Sequence, residues 1–248
     1  MRLLVVIPHH SQRASLDRAL AAVAGLPTLI VDDSPRGMVR PVADRLRTRG
    51  EEGFARAANR GLAEAERRGF SHVLLLNDDA VPEPGCVDAL CAAFVEGVGA
   101  VGPVLVEPDG DKAGFVVRRW GRVRERRLDE AAAPIDALSG AALLVPAWAR
   151  FDPAFLHGME DLALCQNLRR AGLRLVLVPE ARCRHEGGAS LSRRSPAALC
   201  AAMQGQLLLH GRSRAPVVAL LGLGQVLREG GGLEHLRALG QGLARGLR

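Results

Sequence analysis

The sequence predicts an α/β fold: a mostly parallel central sheet flanked by helices and followed by a C-terminal helical appendage. Three observations carry that expectation. Short, continuous apolar runs at residues 3–7, 28–33 and 72–76 read as buried strands. Helical patterns at 15–24 and 53–68 separate them, and this alternation implies parallel strands joined by crossovers. Two of the strands end in paired aspartates, Asp32-Asp33 and Asp78-Asp79, which parallel strands would bring to one rim of the sheet.

The elements follow in order. The run LLVVI (3–7) is a strand that leads into Pro8, and TLIVDD (28–33) is the second strand. Residues 53–68 place alanines and leucines at helical spacing, and 84–94 form a further helix before a short strand at 100–104. From 107 to 135 regular apolar spacing is lost, and the run RRWGRVRERR (118–127) predicts a solvated face or mobile loop. SGAALLVP (139–146) restores strand character. In EDLALCQNLRRAG (160–172), Asp161, Leu164, Cys165 and Leu168 share one helical stripe, and Gly172 supplies the stop. LRLVLVP (173–179) is a strand that Pro179 should end. After Pro196 the chain reads as amphipathic helices, with breaks expected at Gly224 and at 230–232. No internal repeat and no separable second domain is evident.

A chain of 248 residues with 48% apolar content can bury one sizeable core and is not a disordered polymer. Aromatic content of 3% and the absence of tyrosine make that core aliphatic. The net charge of +6 rests on arginine, because Lys112 is the only lysine. Such a balance suits phosphate-bearing ligands or an anionic membrane surface and is weak support for a nucleic-acid partner, which is not expected. The cysteines Cys86, Cys91, Cys165, Cys183 and Cys200 form no C-x-x-C pair, which favours reduced thiols in a cytoplasmic protein. The N-terminal apolar run is too short for a signal peptide. The longest uncharged stretch, 215–227, would reach only about 20 Å as a helix against a hydrocarbon core of about 30 Å.

The stretch HVLLLNDDAVPEPG (72–85) poses the chemical question. Two adjacent carboxylates at the end of a buried strand repel each other unless solvent or a cation compensates. They read either as a polar turn before the next helix or as a divalent-metal site at the carboxyl end of a parallel strand.

Seven ordered segments resolve that choice by resemblance: VVIPHH, LIVDDS, GFARAANRG, LLLNDDAVPEPG, LSGAALLVP, FDPAFLHGMEDLALCQNLRRAG and RHEGGAS. Over about residues 5–190 the chain resembles the family 2 glycosyltransferases of the GT-A fold, especially their rhamnosyltransferase-like branch. The resemblance implies a Rossmann-like sheet and a nucleotide-sugar half at about 1–105. It further implies an acceptor half at about 106–195, with helices from 196 to 248 appended. It also implies a UDP- or dTDP-linked sugar donor, Mg2+ or Mn2+, and an inverting transfer to the hydroxyl of a glycan, lipid-linked or small-molecule acceptor.

Residue by residue, the resemblance makes Asp79 a metal ligand and sets Asp78 near the ribose or diphosphate. Asn77 replaces the first carboxylate of the usual D-x-D site. Asp32 and Asp33 fall where base and ribose are read, with Pro8 and His9 lining the same pocket through their backbone. Asn59 matches a position open to either donor binding or packing, and Gly140 of LSGAALLVP is placed at the donor pocket. His185, with Gly188 and Ser190, would complete the metal site or meet the diphosphate. Asp161 becomes the catalytic base. Glu160, one position earlier, should point about 100° away and could instead complement the helix dipole.

Ala163 stands where the family usually carries a second aspartate. Asn77 and Ala163 together leave open a second reading, a donor-binding but inactive subunit of a glycan assembly complex. A sugar nucleotidyltransferase would need a glycine-rich loop after the first strand, and IPHHSQRAS has no glycine. Trp120, among arginines, could stack on an acceptor sugar. The C-terminal helices could lie on the inner face of a membrane or pack on the core.

Overall fold

The computed structural model describes residues 1–10, 14–38, 44–118, 123–128, 135–155, 158–186, 195–228 and 230–247. The chain opens with β1 (Leu3–His9), α1 (Ser15–Ala22), β2 (Thr28–Asp32), β3 (Arg45–Arg47), α2 (Phe54–Arg67) and β4 (His72–Leu76). It continues with β5 (Ala80–Pro82), α3 (Cys86–Ala93), β6 (Val98–Glu107), β7 (Gly110–Val117), β8 (Val123–Arg127) and β9 (Ala142–Pro146). Last come α4 (Glu160–Arg170), β10 (Arg174–His185), α5 (Pro196–His210), α6 (Ala215–Arg228) and α7 (Leu233–Gly246).

The strands make one sheet in the order β3-β2-β1-β4-β9-β6-β10-β5, with β7 and β8 extending from β6. Its first four strands are parallel neighbours, and β6 runs parallel to β10. Strand β9 lies antiparallel between β4 and β6, and β5, β7 and β8 also pair antiparallel. The expected parallel character thus holds for β3, β2, β1 and β4 and for the β6–β10 pair, and the whole is a mixed α/β sheet.

Period-2 alternation explains why the strands read as unbroken apolar runs. Leu4, Val6, Leu29, Val31, Val73 and Leu75 point to one face, under α2 and α4. Val5, Ile7, Ile30, Leu74 and Leu76 point to the other, under α1 and α3. Both faces are covered, so no polar position recurs. Helix α2 lies close on the sheet at Gly61, where a Cβ would come within 2.3 Å of Val6 Cγ1.

Three local expectations are corrected. The 107–135 stretch carries the hairpin strands β7 and β8 and the last residue of β6, Glu107. Among its described residues Lys112 meets Glu107, Asp109 and Glu125, and Asp111 meets Arg182 of β10. Strand β10 does not end at Pro179. Val178 pairs with Pro103 and Arg182 with Val104, so Pro179, Glu180 and Ala181 bulge out and the strand resumes to His185. Gly224 does not break α6, whose Val218, Gly222 and Val226 are buried and offset the roughly 1 kcal/mol a helical glycine costs.

Helix α5 begins with Ser195 Oγ accepting from Ala198 N and Pro196 in the first turn. It gathers α6 and α7 into a separate apolar cluster around Leu199, Met203, Leu207, Val218, Val226 and Leu239. No helix among the described residues is long and apolar enough to cross a membrane, and the five cysteines are unpaired.

Candidate active site

The rim of the sheet at the carboxyl ends of β1, β2 and β4 collects nearly all the residues singled out above. Asp33 N donates to His9 O at 2.7 Å, and His9 Nδ1 meets Asp78 Oδ2 at 2.8 Å. Asn77 N donates to Ala141 O at 2.9 Å across the β4–β9 ladder. The next residue back, Gly140, donates its N–H to Asp161 Oδ2 at 3.0 Å. On the other side His185 Nε2 lies 3.3 Å from Asp79 Oδ1. Backbone and side-chain contacts therefore link Asp33, His9, Asp78, Asp79, His185 and Asp161 along a single edge.

The two aspartate pairs are used differently. Asp32 is fully buried, accepting from Ser34 N and Oγ, from Met38 N at 2.8 Å and from Arg47. Burial works against its charge, yet these donors hold its carboxyl below the ordinary value. Asp33 Oδ1 accepts from Glu52 N at 3.0 Å and from Thr48 Oγ1, and its Oδ2 accepts from Gly53 N at 2.9 Å, at the start of α2. Both carboxylates thus brace the loops after β2, and each keeps acceptor capacity on Oδ2. Asp78 and Asp79 sit in the turn between β4 and β5, and Asp79 is buried there.

His9 is 1% exposed, and its Nε2 has no hydrogen-bond partner. The sequence suggested a backbone role for this residue; the structure adds its imidazole. Asn59 spans Phe151 with both ends of its amide, Nδ2 to O and Oδ1 to N, each at 2.8 Å. Of the two roles open to it, this is the packing contact. Phe151 in turn packs edge-on against Phe54, 5.6 Å between centroids. A Cβ on Gly140 would lie 3.5 Å from both Phe54 and the Asp161 Cβ, at ordinary van der Waals contact, so the turn lies between those two side chains.

Helix α4 begins on a strained step: Met159, its N-cap, has φ +69°. Leu164, Cys165 and Leu168 are buried as the stripe predicted; Asp161 is half-buried, with its carboxylate turned to Gly140 N. Burial pushes the Asp161 carboxyl up, against the backbone donors Gly140 and Leu162. Glu160 departs from expectation. Its carboxyl is also enclosed, Oε2 has no partner, and burial together with the Asp161 charge pushes it up. Ala163 is buried within the helix.

Two further residues emerge that sequence reasoning passed over. Glu107 Oε1 accepts from His185 Nδ1 at 2.8 Å, and its Oε2 pairs with Lys112. Burial alone would lower His185, but Asp79 and Glu107 outweigh it and raise the imidazole to about 9. Glu107 itself falls to about 2, because His185 and Lys112 outweigh its burial. The chain's single lysine, set among carboxylates, was the available signal. The described residues contain no ready-made group of three or more His, Cys, Asp or Glu side chains around one point. Asp79 and His185 would nevertheless suit a divalent ion that displaces the imidazole proton, with its other ligands coming from a substrate diphosphate, since Mg2+ commonly takes one or two carboxylates plus phosphates. Gly188, Ser190 and Trp120 lie outside the described residues.

Comparison with known proteins agrees with this architecture. Residues 30–204 match the family described as glycosyltransferase like family 2. The N-acetylglucosaminyl-diphospho-decaprenol L-rhamnosyltransferase of Mycobacterium tuberculosis, in strains CDC 1551 and H37Rv, is 29% identical over 227 residues, covering 74% of each sequence. Among solved structures, GalNAc-T7 with UDP, GalNAc and Mn2+ superposes with a TM-score of 0.62 at 14% identity. That match covers 83% of this chain and 47% of GalNAc-T7. The mannosyltransferase PcManGT of Pyrobaculum calidifontis, in complex with GDP-Man and Mn2+, gives 0.56 at 15% identity, covering 98% of this chain and 73% of that one. These likenesses establish the GT-A fold.

Proposed function

The chain belongs to the glycosyltransferase like family 2, in its rhamnosyltransferase-like branch, and from that premise we propose a metal-dependent, inverting transfer from a UDP- or dTDP-linked sugar to an acceptor hydroxyl. The observation that carries this reading is the continuous rim from Asp33 through His9, Asp78 and Asp79 to Asp161. The donor half is taken as residues 1–105, the acceptor half as 106–195, and the appendage as 196–248.

In this reading Asp79 and His185 would hold Mg2+ or Mn2+, which would offset the charge that grows on the departing diphosphate. Pro8, His9, Asp32 and Asp33 line the nucleotide pocket, and the free Oδ2 capacity of Asp33 suits a pyrimidine ring N–H. Asp78, held by His9, faces the ribose or diphosphate, and the unpartnered His9 Nε2 supplies a further polar contact. Gly140 fixes the donor-side face of Asp161, and Asn59 acts through Phe151 and Phe54.

Asp161 takes the proton of the acceptor hydroxyl as the oxygen attacks the anomeric carbon. The bond to the diphosphate breaks on the opposite face, and its electron pair leaves with the diphosphate. A carboxyl raised by burial is a stronger base than an ordinary one, which supports this assignment. The named relative acts on a diphospho-decaprenol-linked sugar, which supports a lipid-linked acceptor here.

A panel of nucleotide sugars, followed by mass-detected transfer with and without chelator, tests the proposal. Metal-dependent turnover that Asp79→Ala abolishes is expected. Full activity in excess chelator would overturn the metal assignment. Donor binding without any transfer or hydrolysis would favour the inactive-subunit reading.

A further inference from the structure

Helix α6 carries apolar residues on two opposite faces. Val218, Gly222 and Val226 turn inward to the helical cluster. Leu220, Leu223 and Leu227 project the other way and are 71%, 40% and 74% exposed. With exposed Pro216 they recur at i, i+4, i+7 and i+11, one full stripe of the helix. Leu233 and Leu236 of α7 are exposed as well, at 73% and 43%. A buried stripe explains one face only, and a second leucine stripe turned outward marks an interaction surface.

The charge around the stripe identifies what it meets. Residues 195–228 contain no aspartate or glutamate. The whole appendage from 195 onward holds six arginines against Glu229 and Glu234, four of the chain's six net positive charges. Arg212 and Arg214 stand exposed just before α6, and exposed Arg228 ends it. A second copy of this helix fits poorly. Antiparallel pairing would set Arg212 and Arg214 against Arg228, and parallel pairing would set Arg228 against itself, with no carboxylate on α6 to intervene. An anionic bilayer fits. Leucines enter between the acyl chains while arginine heads remain among the phosphates.

We infer that the outward face of α6 docks the protein onto anionic membrane, lying in the interface without crossing it. The location gives the contact a use. A cavity of about 240 Å3 lies between Met159 and Val123 on the catalytic side and Met203, Leu221 and Arg228 on the helical side. Met159 immediately precedes Glu160 and Asp161, so the helix that carries the docked face has its inner side against the acceptor end of the site. This use rests on the proposed lipid-linked acceptor; the docking itself does not.

Flotation of the full chain with phosphatidylcholine vesicles, with and without phosphatidylglycerol, tests it at low and high ionic strength. Flotation only with the anionic vesicles, weakened by salt, is expected. Leu220→Asp with Leu227→Asp should lower partitioning at least about tenfold. Arg214→Gln with Arg228→Gln should lower it about fivefold per arginine and covers the case in which the aspartate variant misfolds. Transfer to a water-soluble acceptor should be unchanged in both variants, which separates failure of docking from failure of the proposed reaction. No flotation with anionic vesicles, or undiminished flotation of a folded leucine variant, overturns the inference. So does light scattering showing a dimer that Leu220→Asp dissolves in a protein that ignores vesicles.

Discussion

His9 Nδ1 lies 2.8 Å from Asp78 Oδ2, tying the end of the first strand to the turn after β4 across 69 residues of sequence. The imidazole is buried, so the carboxylate on that turn has one defined partner and one defined orientation. His9→Phe keeps the bulk and removes the bond. Hydrogen bonds to charged groups contribute about 1.5–3 kcal/mol, so the donor KM should rise roughly tenfold to a hundredfold. His9→Asn should recover part of it. Unchanged donor affinity in a folded His9→Phe protein would leave Asp78 held by something else.

Asp161→Asn should lower turnover by about 10²–10⁴ while donor affinity, read by calorimetry, changes little. The Gly140 N–H can still bond the amide oxygen, so the fold should persist. Near-normal turnover would mean that another group takes the proton.

Glu160 makes a stability prediction. Its carboxyl is raised in the folded protein, so the folded state binds this proton more tightly than the unfolded chain does. Wild type is then penalised as pH rises above the ordinary carboxylate range, and not below it. Glu160→Gln removes the penalty, so its melting temperature should exceed that of wild type at neutral pH and converge with it in acid. Thermal melts across pH decide this, and an advantage that persists unchanged in acid would refute the cause.

Glu107→Gln should weaken metal binding about tenfold to a hundredfold, because the second nitrogen of His185 loses its charged partner. Direct Mn2+ titration of the purified protein reads this without any turnover. Glu125→Gln, which loses a Lys112 contact and leaves the Glu107–His185 pair in place, is the comparison and should leave Mn2+ affinity nearly intact.

Gly61→Ala forces a methyl group against Val6 and Val31. Overpacking of this kind typically costs about 1–3 kcal/mol, visible as a lower denaturant midpoint. Gly85→Ala offers a contrast, since a Cβ there meets nothing and only its φ of +80° opposes the change.

The sequence made β1, β2, β4, α2 and α4 readable because each is an apolar run or stripe whose period matches its structure. The rim positions of Asp32, Asp33, Asp78 and Asp79 followed from parallel strand order alone. The hairpin β7–β8 was hidden because its charges are paired across strands, Lys112 with Glu125 and Asp111 with Arg182 of β10, and a local window sees only charge. Glu107 was hidden for the same reason: its importance lies in meeting His185, 78 residues later. Glu160 shows the limit of wheel geometry. Successive residues differ by a fixed rotation, but a strained turn at Met159 and a long side chain let both carboxyls be enclosed.

The bulge in β10 works as a change of reading frame for side chains. Ahead of it the even-numbered Val176 and Val178 share the face of β1's Val5 and Ile7; beyond it that face belongs to the odd-numbered Cys183. His185 inherits the face of Cys183, where Ala80 pairs with it and Asp79 awaits its Nε2. Were β10 shortened by one residue at Pro179, Glu180 or Ala181, Arg184 and His185 would trade sides, and a guanidinium would face the aspartate turn. Three bulged residues thereby decide whether an imidazole or a permanent cation confronts that turn.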